Sequence, residues 1–183
     1  MRFMTLFTIL FLLVSACGET VQKGAVNFSG EWAFNAEKSD MGGPRGGDRG
    51  ADRGGEREGR RGGMGMGASK MIIDQNDNEL VVEMLRQNRD GEEFSMKSTY
   101  TLDGKKSKND SNFGTRISVA RWSKDGKMLT IESTMTMFRE DREFNMESTE
   151  QWSLVDNTLT IETTRSTPMG EITSKAVYDK MTK

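Results

Sequence analysis

The sequence predicts an all-β protein: an antiparallel up-and-down barrel of about eight to nine strands, with a disordered Gly/Arg-rich insertion after its first strand. Three observations carry this. From Ser69 onward, runs of alternating apolar and polar residues are separated by turn residues at short, regular intervals, as in sandwiches and barrels. No stretch there carries an apolar stripe at helical spacing. The chain also repeats itself. Residues 121–134 (RWSKDGKMLTIEST) and 151–164 (QWSLVDNTLTIETT) lie thirty positions apart and share a Trp, a Ser, a turn and then Leu-Thr-Ile-Glu. Two long strands and two turns account for such a spacing and return the chain to the same strand direction.

The chain opens on Arg2 and an apolar run from Phe3 to Val14, followed by Val14-Ser15-Ala16-Cys17. A membrane-spanning helix needs about 20 apolar residues, so this run reads as an export signal. It resembles the bacterial lipoprotein signal, with Val14, Ser15, Ala16 and Cys17 at the four positions of its lipobox. The resemblance implies removal of residues 1–16, diacylglycerol on the Cys17 thiol and acylation of the new amine. Several acyl chains on one residue make a firm anchor. The expected location is the bacterial cell envelope, and Gly18 after the cysteine is compatible with sorting to the outer membrane. Residues 17–27 read as the lipidated cysteine and a polar tether.

The barrel domain is expected over 28–183. Its first strand lies in the stretch NFSGEWAFNAEKSD, where Trp32 and Phe34 alternate with Glu31 and Ala33. Residues 42–67 break the pattern, with twelve glycines and six arginines among 26 residues. That composition buries too little apolar surface to offset ordering entropy, so the segment reads as flexible. Beyond it, turns are expected at Asn76-Asp77-Asn78, Arg89-Asp90-Gly91, Asp103-Gly104, Lys124-Asp125-Gly126, Asp156-Asn157 and Pro168-Met169-Gly170. Every junction is hairpin-like, so a meander is the simplest topology, and closing it removes the exposed edges.

Alternation divides each run into two faces. The expected inner face carries Leu80, Val82, Met84 and Arg86, then Phe94, Met96, Ser98, Tyr100 and Leu102. Further along it carries Leu129, Ile131, Ser133, Met135 and Met137, then Phe144, Met146, Ser148, Glu150, Trp152 and Leu154. The last two runs add Leu159, Ile161, Thr163 and Arg165, then Ile172, Ser174, Ala176 and Tyr178. The run 116–122 is ambiguous by itself, because Ile117 and Val119 alternate with Ser118, Ala120 and Trp122. The repeat aligns Trp122 with Trp152 and so turns Trp122 inward. Small hydroxyls and three charges, Arg86, Glu150 and Arg165, therefore share a face with apolar groups. A dry core disfavours them unless they are paired. Either they bond locally and lie at the barrel ends, or the barrel holds a wet or ligand-filled cavity.

The stretches FSGEWAFNAEKSD, STYTLDGKKS, RWSKDGKMLTIEST, EQWSLVDNTLTIETT and STPMGEITSKAVYDK together resemble a group of small exported bacterial proteins with a lipocalin-like (calycin-type) domain, a group largely without assigned activity. The likeness spans residues 28–40 and 69–181. It implies an up-and-down barrel and binding of a small apolar or amphipathic molecule, and it implies no catalytic residue. Candidate ligand-binding residues are Arg86, Tyr100, Glu150, Trp152 and Arg165.

Composition narrows the alternatives. The chain has no histidine and a single cysteine, which removes His-based acid–base chemistry, internal disulfides and Cys/His zinc sites. No metal and no cofactor is expected. Formal charge is −2 for the whole chain, giving no long-range field that would favour nucleic acid. The Arg-Gly-Gly steps at Arg45, Arg53 and Arg61 suggest a competing function, an envelope protein that engages an anionic polymer or partner. The acids at Asp48, Asp52, Glu56 and Glu58 dilute that charge, and base-stacking aromatics are missing from the segment. The carboxylate pairs Glu92-Glu93 and Glu140-Asp141 are the best anchors for a hydrolase reading, yet both sit at turn edges. The partners expected are therefore a membrane, through the lipid anchor, and a small apolar ligand. Oligomeric state cannot be read from the sequence.

Overall fold

The computed structural model describes residues 24–42, 69–87, 92–112, 114–139, 142–167 and 170–182. The expected signal, Cys17, most of the tether and nearly all of the Gly/Arg-rich insertion lie outside the described residues.

Ten strands follow one another: β1 (Gly30–Phe34), β2 (Lys70–Gln75), β3 (Glu79–Gln87), β4 (Glu93–Thr101), β5 (Lys106–Ser111), β6 (Gly114–Trp122), β7 (Met128–Arg139), β8 (Arg142–Val155), β9 (Thr158–Thr167) and β10 (Gly170–Lys180). The expectation of eight to nine strands was therefore low. The strand most easily missed is β5, whose sequence KSKNDS has no apolar alternation to announce it. All ladders are antiparallel, and the sheet order is β4-β3-β2-β1-β10-β9-β8-β7-β6-β5. This is a meander closed by β1 against β10, with Trp32 opposite Lys180 and Phe34 opposite Tyr178. One pair of chain neighbours, β4 and β5, shares no ladder, so the barrel is nearly closed with a single seam.

The hairpins alternate between two ends. At the lower end, Asn76 Oδ1 accepts the amides of Asn78 and Glu79. Gly104 and Gly126 turn there with φ of 77° and 69°, a region glycine enters without the usual Cβ penalty. Asp156 turns with φ of 52°, tolerable for a short polar side chain. The expected turn at 89–91 lies outside the described residues, as do residues 168 and 169 of the turn expected before Gly170, the first residue of β10.

The lower end is plugged. Phe28 is fully buried, stacks on Trp122 at 5.7 Å and meets Trp152 edge-on at 5.8 Å. Trp32 Nε1 donates to the Phe28 carbonyl at 2.9 Å, which satisfies the indole while its ring stays dry. Just before Phe28, the Val26 amide donates to Gly126 O and the Gln75 side chain donates to Val26 O, so the packed chain begins by Val26. Around the plug lie Met71, Ile73, Leu80, Val82, Leu129, Ile131 and Leu159, all buried. Burying each such side chain contributes about 1.5–3 kcal/mol.

The repeat is explained by this geometry. β6 and β8 run in the same direction, as do β7 and β9, and Trp122 and Trp152 both abut Leu129. Ser118 and Ala120 are buried while Ile117 and Val119 are not, so the repeat resolves the ambiguous strand correctly. Tyr100 holds the equivalent place before the turn that follows β4, and it too joins the core.

Candidate functional site

Above the plug the inner wall changes character. The register sets Met71 opposite Met84 and Met84 opposite Met96, a lateral thioether row across β2, β3 and β4. Beyond the seam, Arg116 lies opposite Met135 and Met135 opposite Met146, across β6, β7 and β8. At the upper rim the inward positions Phe94, Phe144 and Ile172 are 42%, 47% and 38% exposed, because nothing packs over them. The lower half of the barrel is therefore filled and the upper half is not.

A cavity of about 650 Å³ occupies this upper region, lined by Met84, Met96, Met135, Phe94, Arg86 and Arg116 together with residues of β4 and β5. Residues 94 to 98 all line it. Successive strand residues point to opposite faces, so the cavity wraps around the edge of β4 and opens at the seam. Lower down, side chains close the seam. The Asn109 amide donates to Thr99 O at 3.0 Å and accepts from Thr99 N at 2.8 Å. Ser107 Oγ accepts from Thr101 N at 2.8 Å. These bonds replace the missing ladder with side-chain imitations of a peptide group.

The five candidate residues fall at different depths. Arg86, at the upper end of β3, lines the cavity, and its Nη2 leans on the Met84 sulfur at 3.9 Å. Burial lowers the Arg86 pKa; Tyr178 opposes this, while Arg165 and then Arg116 add to it. Arg86, Arg116 and Arg165 thus feel one another inside the barrel. Tyr100 is 1% exposed and belongs to the packed core, not to the cavity wall. Burial first, and then the Glu150 carboxylate, push its pKa up to about 12, while Arg116 and Ser98 hydrogen bonds pull the other way. Glu150 accepts a hydrogen bond from Trp152 Nε1 at 2.9 Å. The Trp152 ring itself belongs to the plug, with 1% exposure and its edge on Phe28. Cys17 lies outside the described residues.

Two features of the site escaped the sequence reading. Arg116 is one: carrying the repeat two residues upstream of Ser118 would have placed it on the inner face. Asn109 is the other, and only the seam gives it a role. The inner hydroxyls are partly accounted for locally, since Ser118 and Ser133 bond each other at 2.8 Å. Glu92 and Glu93 stand exposed at the upper rim, and residues 140–141 lie outside the described residues. The Asn76 side chain is committed to its own turn. Among the described residues no three His, Cys, Asp or Glu side chains come together as metal ligands. No described helix is long and apolar enough to cross a membrane, which says nothing about strands.

No protein-family model matches the chain, and no curated protein matches it. Among solved structures, the zebrafish ileal bile acid-binding protein complexed with cholic acid is similar, with a TM-score of 0.51 and 13% sequence identity. The match covers 84% of this chain and 98% of that chain. At that identity the likeness is one of fold: a nearly closed antiparallel β-barrel.

Proposed function

We propose that this protein is a lipid-anchored, extracytoplasmic binding domain that holds a small apolar or amphipathic ligand in the upper half of its barrel. The observation that carries the reading is the cavity of about 650 Å³ above a solid plug, lined by Met84, Met96, Met135 and Phe94 on one part and by polar and charged residues of β3 to β6 on the rest. Ligand sites typically occupy about 300–1,000 Å³ and combine an apolar lining with few, placed polar groups. Methionine suits such a wall because its unbranched thioether adapts to varied shapes. The fold neighbour, solved with cholic acid, itself an amphipath, agrees with this reading. The anchor rests on the lipobox-like Val14-Ser15-Ala16-Cys17, and it would hold the barrel at the bacterial outer membrane.

The binding reading is tested with lipid-stripped protein and the neutral fluorophore N-phenyl-1-naphthylamine. Saturable binding at one site, lost when Met84 and Met135 are changed to lysine, is expected. Absence of saturable binding would leave the cavity as a packing defect. For the anchor, Cys17→Ser should abolish labelling by radioactive palmitate and move the protein from the membrane to the soluble fraction. Unchanged labelling would end that part of the reading.

A further inference from the structure

We propose that the upper cavity selects an anionic head group on an apolar tail, with the head held by Arg86 and Arg116 and the tail lying along Met84, Met96 and Met135. This rests on the binding reading above and names the ligand class. Both guanidinium-bearing side chains line the same cavity as the three methionines. They reach it from β3 and β6, the strands that flank β4 and β5, so they stand on either side of the seam. Arg165 adds to the positive field felt by Arg86. The acid among the inner-face candidates, Glu150, accepts a hydrogen bond from Trp152 Nε1 and does not line the cavity. Among the residues that line the cavity, Arg86, Arg116 and Lys97 stand against the single carboxylate of Asp110, so its wall carries a net positive charge.

A neutral ligand displaces water from that wall and returns no opposite charge to it. A cationic ligand would add repulsion. A carboxylate or phosphate monoester relieves the mutual repulsion of the arginines and accepts from their forks in charge-assisted hydrogen bonds. The Met84 sulfur that Arg86 now touches is a weak acceptor and an easy one to displace. The seam gives the head a route to water while the methionine row keeps the tail dry. A soft-metal site at the methionines is the poorer reading, because the neighbouring arginines would repel a cation there.

The test uses the full chain carrying Cys17→Ser, lipid-stripped and free of detergent. Displacement of N-phenyl-1-naphthylamine is measured for dodecanoate, dodecyl phosphate, dodecanol and dodecyltrimethylammonium, each below its micelle concentration. The two anions should bind about tenfold or more tighter than dodecanol, with the cation weakest. The anion that binds more tightly identifies the head group as carboxylate or phosphate. The double substitution Arg86→Gln with Arg116→Gln should erase the difference between dodecanoate and dodecanol. Arg86→Lys with Arg116→Lys should retain part of it, which separates loss of charge from loss of fold; tryptophan emission checks that each variant keeps its plug. Equal binding of all four probes would overturn this inference and leave the binding reading standing. Displacement by inorganic phosphate alone would overturn it in favour of a simple anion site. Failure of every alkyl probe would overturn both readings.

Discussion

At the scale of single residues, the inner wall uses polar groups where an ordinary core would use aliphatics, and Tyr100 shows what this costs. Its phenol is buried beside the Glu150 carboxylate, so ionising it would create a second negative charge in a dry place. The folded barrel therefore keeps the phenolic proton to about 12, against 10.0 for an ordinary tyrosine. Between those two pH values the unfolded chain releases a proton that the folded one retains. Stability contributed by neutral Tyr100 is thus fully present below pH 10 and is lost as pH rises toward 12. Titration followed by tyrosinate absorbance should show Tyr100 ionising in the upper part of this window, coupled to loss of the native circular dichroism. Glu150→Gln keeps an acceptor for Trp152 Nε1 and removes the charge. It should lower the Tyr100 pKa without returning it to normal, because burial is the larger cause. An unchanged titration in that variant would mean that Glu150 does not reach the phenol. Phe28 makes the complementary case from the apolar side. Phe28→Ala removes the ring that stacks on Trp122 and meets Trp152, and it should destabilise the barrel by about 3–5 kcal/mol in denaturant titrations.

At the scale of elements, the seam is the place where the fold departs from a uniform ladder. Asn109 stands in for a peptide group, giving and receiving one bond with Thr99. Asn109→Ala leaves that edge to water and should cost about 1–2 kcal/mol. Hydrogen exchange gives the sharper reading: the amides of Thr99 and Thr101 should exchange faster while those paired between β8 and β9 stay protected. Uniform loss of protection would show instead that the seam is structurally indispensable. The hairpin from β5 to β6 has a different constraint. Gly114 has φ of 137°, and a Cβ there would collide with the Thr136 carbonyl of β7. Gly114→Ala should therefore destabilise by more than about 2 kcal/mol or force β6 away from β7 at that point, seen as lost protection of the Thr115–Thr136 pair. These elements also show what the sequence could and could not reveal. Strands such as β7 and β9 were legible because their inner faces are apolar and their outer faces carry Thr and Glu. β5 was not, because its edges are satisfied by its own Ser107 and Asn109 side chains, which leave no hydrophobic imprint. Ser118, Ala120 and Trp122 were assigned correctly only because the repeat overruled the composition of their strand. The thioether row was hidden for another reason. Met84, Met96, Met135 and Met146 were placed on the inner face and Met71 was not assigned, but which strand residues stand side by side depends on register, and alternation alone cannot fix register between separate hairpins.

At the scale of the whole molecule, the barrel is two bodies in one sheet. The lower half is a solid of aromatic and aliphatic groups, with Trp32 and Trp152 buried and Trp122 packed on Phe28. The upper half has the same strands and no filling. Dispersion contacts stabilise the first, and the second can open without disturbing them, because the plug does not depend on the rim residues. On the proposed binding role, function belongs to the upper half, and the lower half serves to hold ten strands at fixed spacing beneath it. This division makes a spatial prediction. With methyl-labelled methionine and labelled indole nitrogens, addition of dodecanoate should shift the methyl signals of Met84, Met96 and Met135, which line the cavity. Met71, 1% exposed at the β2 end of the row and not part of the cavity wall, should move less, and the Trp32 indole, tied to the Phe28 carbonyl, should not move. The Trp152 indole serves as a depth gauge, since its Glu150 partner lies on β8 between Met146 and the plug: a ligand that stops at the methionine row leaves it in place, and one that goes deeper shifts it. Large shifts at Trp32 with none at the methionines would place the ligand at the plugged end, and the assignment of roles to the two halves would have to be reversed.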